Sequence, residues 1–297
     1  MTNKTCNKTE EASVSVVIPT LGEVSLQKTI SQLNKGSIVP AEILVCVPQD
    51  QELKADVSSF SNVKVIKTEC RGQVRQRIEG FKKASCEYVM QLDDDIDIDE
   101  DCIAYLLEKF MEHDPKVAVA PSLINLLTGE SVYMKPDQPP WVAYIYYWIM
   151  NGSHGYKPGG IDKTGSPVGF DTKKYGTVIL ESDWLPGGCV MHHKDNLVLE
   201  NYFPFSGKAF GEDVMHSLKL KERDVKLYIQ PKSKCYLEIV PMTAATCSDF
   251  LINLKSEIRI RKHYMKSISE ESIRIDIYFI LTVIRFLIKK LIINLKK

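Results

Sequence analysis

Short β-branched runs alternating with stretches of helical apolar spacing constrain this chain more than any other feature. Residues 14–18, Val-Ser-Val-Val-Ile, stop at Pro19, and residues 23–34 then space their apolar positions as a helix, closed by Gly36. The same grammar repeats, with strands expected at 43–47, 63–66 and 88–92 and a helix at 72–84. Strands separated by helices fold as an α/β domain with a mostly parallel sheet.

A helix at 101–111 and a strand at 117–120 follow. Residues 121–183 then turn rich in Pro, Gly and aromatics without a clear period, an insertion of the kind that usually carries function. Regularity returns with strands at 188–192, 225–229 and 235–240 and a helix at 213–223. Two further helices are expected at 249–266 and 273–295, and no internal repeat is visible.

Composition sets the scale. A chain of 297 residues that is 44% hydrophobic can bury one substantial core. The formal net charge is zero, yet residues 255–297 hold eleven Lys or Arg against four Asp or Glu, leaving the remainder acidic. These basic residues alternate with Ile, Leu and Phe, which suits an anionic membrane surface better than nucleic acid. Within 273–295 the longest charge-free run is 277–284, too short for the roughly 20 residues that cross a bilayer. The expectation is an in-plane amphipathic helix, against the alternative of a helix packed on the catalytic domain or on a second subunit. The eight cysteines include no C-x-x-C pair and read as buried free thiols of a reducing compartment. Residues 1–12 form a polar tail without the apolar stretch of a signal peptide, so a cytoplasmic location at the inner membrane face is expected.

The strongest chemical signal is Asp93-Asp94-Asp95, at the carboxyl end of an expected strand, where open α/β sheets bind ligands. Asp93 and Asp95 lie two apart in an extended segment and share a side, offering hard oxygens to Mg²⁺ or Mn²⁺. A calcium loop fails, because no register supplies both the required Gly and the closing Glu. A solvated acidic turn leading into the helix at 101 is the plainer alternative. The second signal is Gly211-Glu212-Asp213, opening a helix downstream of Trp184-Leu185-Pro186-Gly187-Gly188. His192 and His193, adjacent on a strand, face opposite sides and read as one core and one surface residue. The run Trp141 to Trp148 reads as an acceptor wall or a membrane-facing cover.

In this order, residues 14–20, the Asp93 cluster, residues 183–188 and the Gly211 helix start resemble the inverting family 2 glycosyltransferases, over roughly residues 13–240. The resemblance implies a GT-A type, Rossmann-like fold: a mostly parallel mixed sheet flanked by helices, with a C-terminal helical appendage. It places a donor half at about 13–120 and an acceptor half at about 121–247, while the basic, apolar residues 248–297 are read from their own composition as a membrane-association region. It assigns Asp95 and Asp93 to a Mn²⁺ or Mg²⁺ ion, with Asp93 nearer the ribose or base and Asp94 beside it. Pro19, Thr20 and Glu23 match the loop that packs on the nucleotide. Gly72, Gln73, Arg75 and Arg77 match a helix whose basic side chains approach the donor, and Asp50 is the candidate for reading the base. Asp213 matches the catalytic base, while Trp184, Gly187, Gly188 and Glu212 match the acceptor side, Trp184 having a core position as its alternative.

The implied reaction moves a sugar from a UDP-, dTDP- or GDP-sugar to a glycan or glycolipid acceptor, lipid-linked or polysaccharide. A nucleotidyltransferase fits less well, because Pro19-Thr20-Leu21-Gly22-Glu23 is neither Gly-rich nor basic. A non-catalytic glycan-binding or scaffold protein of the same fold would have no need of both acidic sites.

Overall fold

The computed structural model describes residues 12–112, 114–134, 140–205, 211–239, 246–270 and 272–295. The chain divides into two compact units, Met1–Val132 with Thr172–Leu237 and Tyr133–Asp171 with Glu238–Lys297. Its strands are β1 Val14–Pro19, β2 Glu42–Pro48, β3 Val63–Thr68, β4 Tyr88–Leu92, β5 Asp97–Ile98, β6 Val117–Asn125, β7 Leu180–Ser182, β8 Cys189–His193 and β9 Lys226–Leu237. Its α-helices are α1 Leu26–Leu33, α2 Gln73–Phe81, α3 Cys102–Glu108, α4 Trp141–Asn151, α5 Glu212–Lys221, α6 Cys247–Ser267 and α7 Arg274–Leu295.

In the first unit the strands form one sheet in the order β3-β2-β1-β4-β8-β6-β9-β5, with β7 also on β9. β1 pairs in parallel with β2 and β4, and β2 with β3. The sheet becomes mixed where β8 inserts antiparallel between β4 and β6. Every residue of β1 and β2 is buried, as expected of parallel strands covered on both faces. Helix α2 seats on this layer through Gly80, where a Cβ would lie 2.3 Å from Val17 Cγ1 and 2.7 Å from the Cys46 sulfur. That close approach carries the start of α2 to the carboxyl ends of β1 and β4.

The expected α/β order is present, and its departures have physical causes. The two strands expected at 225–229 and 235–240 are one, β9, whose register against β6 jumps from Gln230 to Lys234 and absorbs the polar Pro-Lys-Ser between them. Val240 lies outside the described residues. The strand expected at 117–120 runs on to Asn125, because β9 continues beside it. Helix α1 starts at Leu26, three residues inside the expected start, because Thr20 and Gly22 close a turn first.

Residues 133–171 form one compact unit with the residues from 238 onward. The aromatic run there is α4, and it packs within this second unit: Arg274 of α7 donates to the Trp148 carbonyl at 3.2 Å, and α4 and α7 line a shared groove. Phe250 of α6 stacks on Phe286 of α7 at 3.8 Å, and Arg261 donates to Thr164 at 3.1 Å. No described helix is long and apolar enough to cross a membrane. The described cysteines are free thiols, five of them buried, and Cys247 is exposed; Cys6 lies outside the described residues.

Candidate active site

The carboxyl ends of β1 and β4 and the start of α2 enclose a cavity of about 820 Å³. Pro19, Thr20, Glu23, Gly72, Gln73, Arg75, Asp93, Asp94 and Asp95 all line it. One hydrogen-bond system fixes its floor. Gln76, on the buried side of α2, donates to the carbonyls of Thr20 and Cys46, both at 2.8 Å. The Thr20 hydroxyl accepts from the Gly22 amide at 2.9 Å and donates to Asp94. Gly22, at φ +87°, is required here, since a Cβ would meet the Glu52 carbonyl oxygen at 2.4 Å.

The three aspartates sit in different chemical environments. Asp93 Oδ1 accepts from Gln73 at 2.6 Å and faces Arg77 at 3.4 Å. Burial pushes the Asp93 carboxyl up to about 6, against the pull of Arg77. Burial also raises Asp94, whose bond to Thr20 works the other way. Asp95 is exposed and has no hydrogen-bond or ion-pair partner among the described residues. Asp95 and the uncommitted Oδ2 of Asp93 are therefore the hard oxygens open to a divalent cation, and they suit Mg²⁺ or Mn²⁺, which keep several waters. Arg75 is an exposed cation on the same wall, also without a partner among the described residues.

Asp213, in the first turn of α5, does not itself line this cavity. Its Oδ1 accepts from the Val214 amide at 2.9 Å, and burial, with the Glu212 charge second, pushes its carboxyl up to about 7. The backbone of Gly187 and Gly188 links the two acidic sites. A Cβ on Gly187 would lie 3.2 Å from Asp213 Cβ and 2.7 Å from Glu212 Oε1; one on Gly188 would lie 3.4 Å from Asp93 Oδ2 and 2.4 Å from Ile96 Cδ1. Asp93 donates its amide to the Gly188 carbonyl at 2.8 Å, and Gln91 donates to the Gly187 carbonyl at 2.6 Å. What approaches these two glycines closely is therefore the protein itself, at Glu212, Asp213, Asp93 and Ile96.

Several expected residues occupy other places. Arg77 does not line the cavity: it is 1% exposed and donates to Glu212 at 2.9 Å and Tyr202 at 3.4 Å. Glu212, expected on the acceptor side, is buried and also accepts from Tyr202 at 2.8 Å. Burial works against the Arg77 charge, but Glu212, Tyr202 and Asp93 outweigh it and raise the guanidinium. Burial holds His192 well below the usual range and His216 at about 3, so neutral imidazoles flank this cation. Trp184 is 2% exposed, the core position that was its alternative. Asp50 lies outside the cavity lining, exposed and paired with Arg71 at 3.0 Å. His192 is fully buried and His193 partly so. Sequence reasoning missed Arg71 and the wall made by Asn201, Phe203, Pro204 and Phe205. Their one signal is two aromatics flanking a proline in a segment without periodicity.

The family model described as Glycosyl transferase family 2 matches residues 15–164. It covers half of the sequence, and the chain belongs to that family. Among solved structures, the chain is similar to the crystal structure of GalNAc-T7 with UDP, GalNAc and Mn²⁺, at 20% identity and a TM-score of 0.56. The match covers 85% of this chain and 50% of that one, so the chain spans about half its length. It also matches the crystal structure of S. aureus TarS, at 16% identity and a TM-score of 0.46, over 84% of this chain and 39% of that one. At 20% identity the likeness to GalNAc-T7 is one of fold, the GT-A fold expected from the sequence. A comparison with curated proteins finds no match.

Proposed function

We propose that the chain transfers a sugar from a nucleoside diphosphate sugar to a lipid-linked or polysaccharide acceptor, with inversion at the anomeric carbon. The observation that carries this reading is the joint geometry of the two acidic sites: carboxylate oxygens open to a cation on one side of Gly187-Gly188, and a carboxyl raised to about 7 on the other. Family membership supports the reaction class.

In this reading Pro19, Thr20 and Gln73 shape the nucleotide seat, and Arg75 offers its charge to the diphosphate. Asp95 and Asp93 would hold Mn²⁺ or Mg²⁺, which when bound neutralises charge on the departing diphosphate. The acceptor hydroxyl gives its proton to Asp213 as its oxygen bonds to the anomeric carbon from the face opposite the nucleotide. The bond from that carbon to the diphosphate oxygen breaks, and the configuration inverts. A base whose pKa lies near working pH contributes about 10²- to 10⁴-fold.

The second unit supports a peripheral membrane role. Trp141, Tyr144 and Trp148 on α4 are 72%, 64% and 62% exposed, and Ile280, Leu287 and Leu291 on α7 are 56%, 51% and 60% exposed. Isolated apolar residues are ordinary on a surface, but rows interleaved with Arg285, Lys289 and Lys290 suit an anionic interface. Sedimentation with anionic vesicles tests it: a chain that stays in the supernatant and instead self-associates through α7 overturns the membrane reading.

The donor site is tested by calorimetric titration with UDP, GDP, dTDP and CDP, with and without Mn²⁺, on the native chain and on Asp95→Ala. The expected result is metal-dependent binding of one nucleotide, lost in the variant. No binding under any condition overturns the transferase reading. NMR of the product's anomeric configuration then tests inversion.

A further inference from the structure

The cysteines of the first unit hold a cluster that the transfer chemistry does not use. Cys102 begins α3, Cys189 begins β8, and Cys235 lies in β9, facing Ile98 of β5 and Leu123 of β6. All three are fully buried, and their sulfurs lie within 4.8 Å of one another, with Cys102 and Cys235 at 3.8 Å. Ser233, also fully buried, donates to the Cys102 carbonyl at 3.0 Å and sits 3.2 Å from its sulfur. No fourth His, Cys, Asp or Glu joins the group among the described residues.

We propose that Cys102, Cys189 and Cys235 form a three-sulfur site for a trivalent thiophilic ion, with arsenous acid as the species it captures. Distance supports it: bonds of about 2.3 Å to a central ion set three sulfurs about 4 Å apart, less if the ion sits above their plane. A zinc site of the closed structural kind has four ligands and is not completed here. Charge supports it as well. Arsenous acid and three thiols condense to one arsenic bonded to three sulfurs and three waters, so the protons leave with the hydroxyls and the product is neutral. A neutral product suits a fully buried cluster, where an uncompensated charge is costly.

Capture would join α3, β8 and β9 directly beneath the acidic site, since Cys189 follows Gly188, which holds the Asp93 amide at 2.8 Å. Because the sulfurs are buried, loading waits on transient opening of the fold and is slow in the native state.

The test is intact mass spectrometry of the reduced full chain incubated with arsenite, native and after refolding in its presence. It is paired with mapping of the thiols that alkylation still reaches after unfolding. The expected result is one arsenic per chain replacing three hydrogens, with Cys102, Cys189 and Cys235 protected together. Cys189→Ala should lose the adduct, while Cys70→Ala and Cys247→Ala keep it. No adduct on the folded chain, protection of any other set of cysteines, or an adduct undiminished in Cys189→Ala overturns the proposal. If Cys189→Ala does not fold, the protection pattern in the native chain decides alone.

Discussion

Arg77 reaches across the core from α2 to place its guanidinium 2.9 Å from Glu212 Oε1 at the start of α5, while its other nitrogen faces Asp93 at 3.4 Å. A single buried cation therefore ties the Asp93 end of the cavity to the helix that carries Asp213. Arg77→Met is expected to destabilise the chain by about 3–5 kcal/mol, because it strands the Glu212 carboxylate in a buried site. The double variant Arg77→Met with Glu212→Gln should recover a large part of that loss, since the more deeply buried of the two carboxylates that face Arg77 is neutralised with it. Thermal or urea unfolding checks both, and a double variant as unstable as the single one refutes the ion-pair account.

The two raised carboxyls predict opposite pH trends for activity and stability. Asp213 serves as a base only when ionised, so transfer is expected to rise with pH and level off above about 7. Asp213→Asn should abolish that dependence along with most of the rate. For stability, the folded Asp213 and Asp93, at about 7 and about 6, lie above the ordinary 3.8 of an unfolded chain. Between roughly pH 4 and 7 the folded form binds more protons, so these groups make the protein less stable as pH rises through that window. Urea midpoints measured across it should fall for the native chain and fall less for Asp213→Asn.

Arg75 separates binding from folding. It is exposed, unpartnered among the described residues, and on the cavity wall, so Arg75→Ala should leave the melting temperature unchanged. Loss of a hydrogen bond to a charged group costs about 1.5–3 kcal/mol, which corresponds to roughly ten- to a hundredfold weaker nucleoside diphosphate binding. Calorimetry reads the loss directly, and a variant that binds UDP and GDP as the native chain does removes Arg75 from the donor site.

The sheet was legible because periodicity and turn residues are local signals: β1, β2 and β4 announce themselves by short, mostly apolar runs, and Asp93–Asp95 by position at a strand end. Arg77 was not, since nothing in Gln73-Val74-Arg75-Gln76-Arg77 says which arginine faces solvent; helical spacing puts Arg77 one position from Gln76 on the buried side, and Glu212, 135 residues away, with Tyr202 and Asp93, makes that burial tolerable. Gly187 and Gly188 were legible as a glycine pair matching the acceptor side, but nothing local says that Glu212, Asp213 and Asp93 pack against them. Helix α4 was hidden for a different reason: apolar and aromatic on most sides, it lacks the amphipathic period that marks a helix.

Glu42 supplies a structural test independent of the site. It is buried at the start of β2, yet it accepts from Ser15 at 2.8 Å, from the Ser85 amide at 2.7 Å, from the Ser85 hydroxyl at 2.8 Å and from Lys64 at 2.8 Å. Burial works to raise its pKa, but Lys64 and the serine bonds prevail and lower the carboxyl to about 2. The folded value lies below the unfolded one, so the stabilisation is complete above about pH 4.5 and drains away as pH falls toward about 2. A drop from 4.5 to about 2 corresponds to roughly 3 kcal/mol as an order of magnitude. Glu42→Gln is expected to lose most of this near neutrality and almost none of it at low pH, so the two unfolding curves should converge as the solution is acidified. Parallel curves across pH 2 to 5 would show that the loss comes from packing and not from the charge.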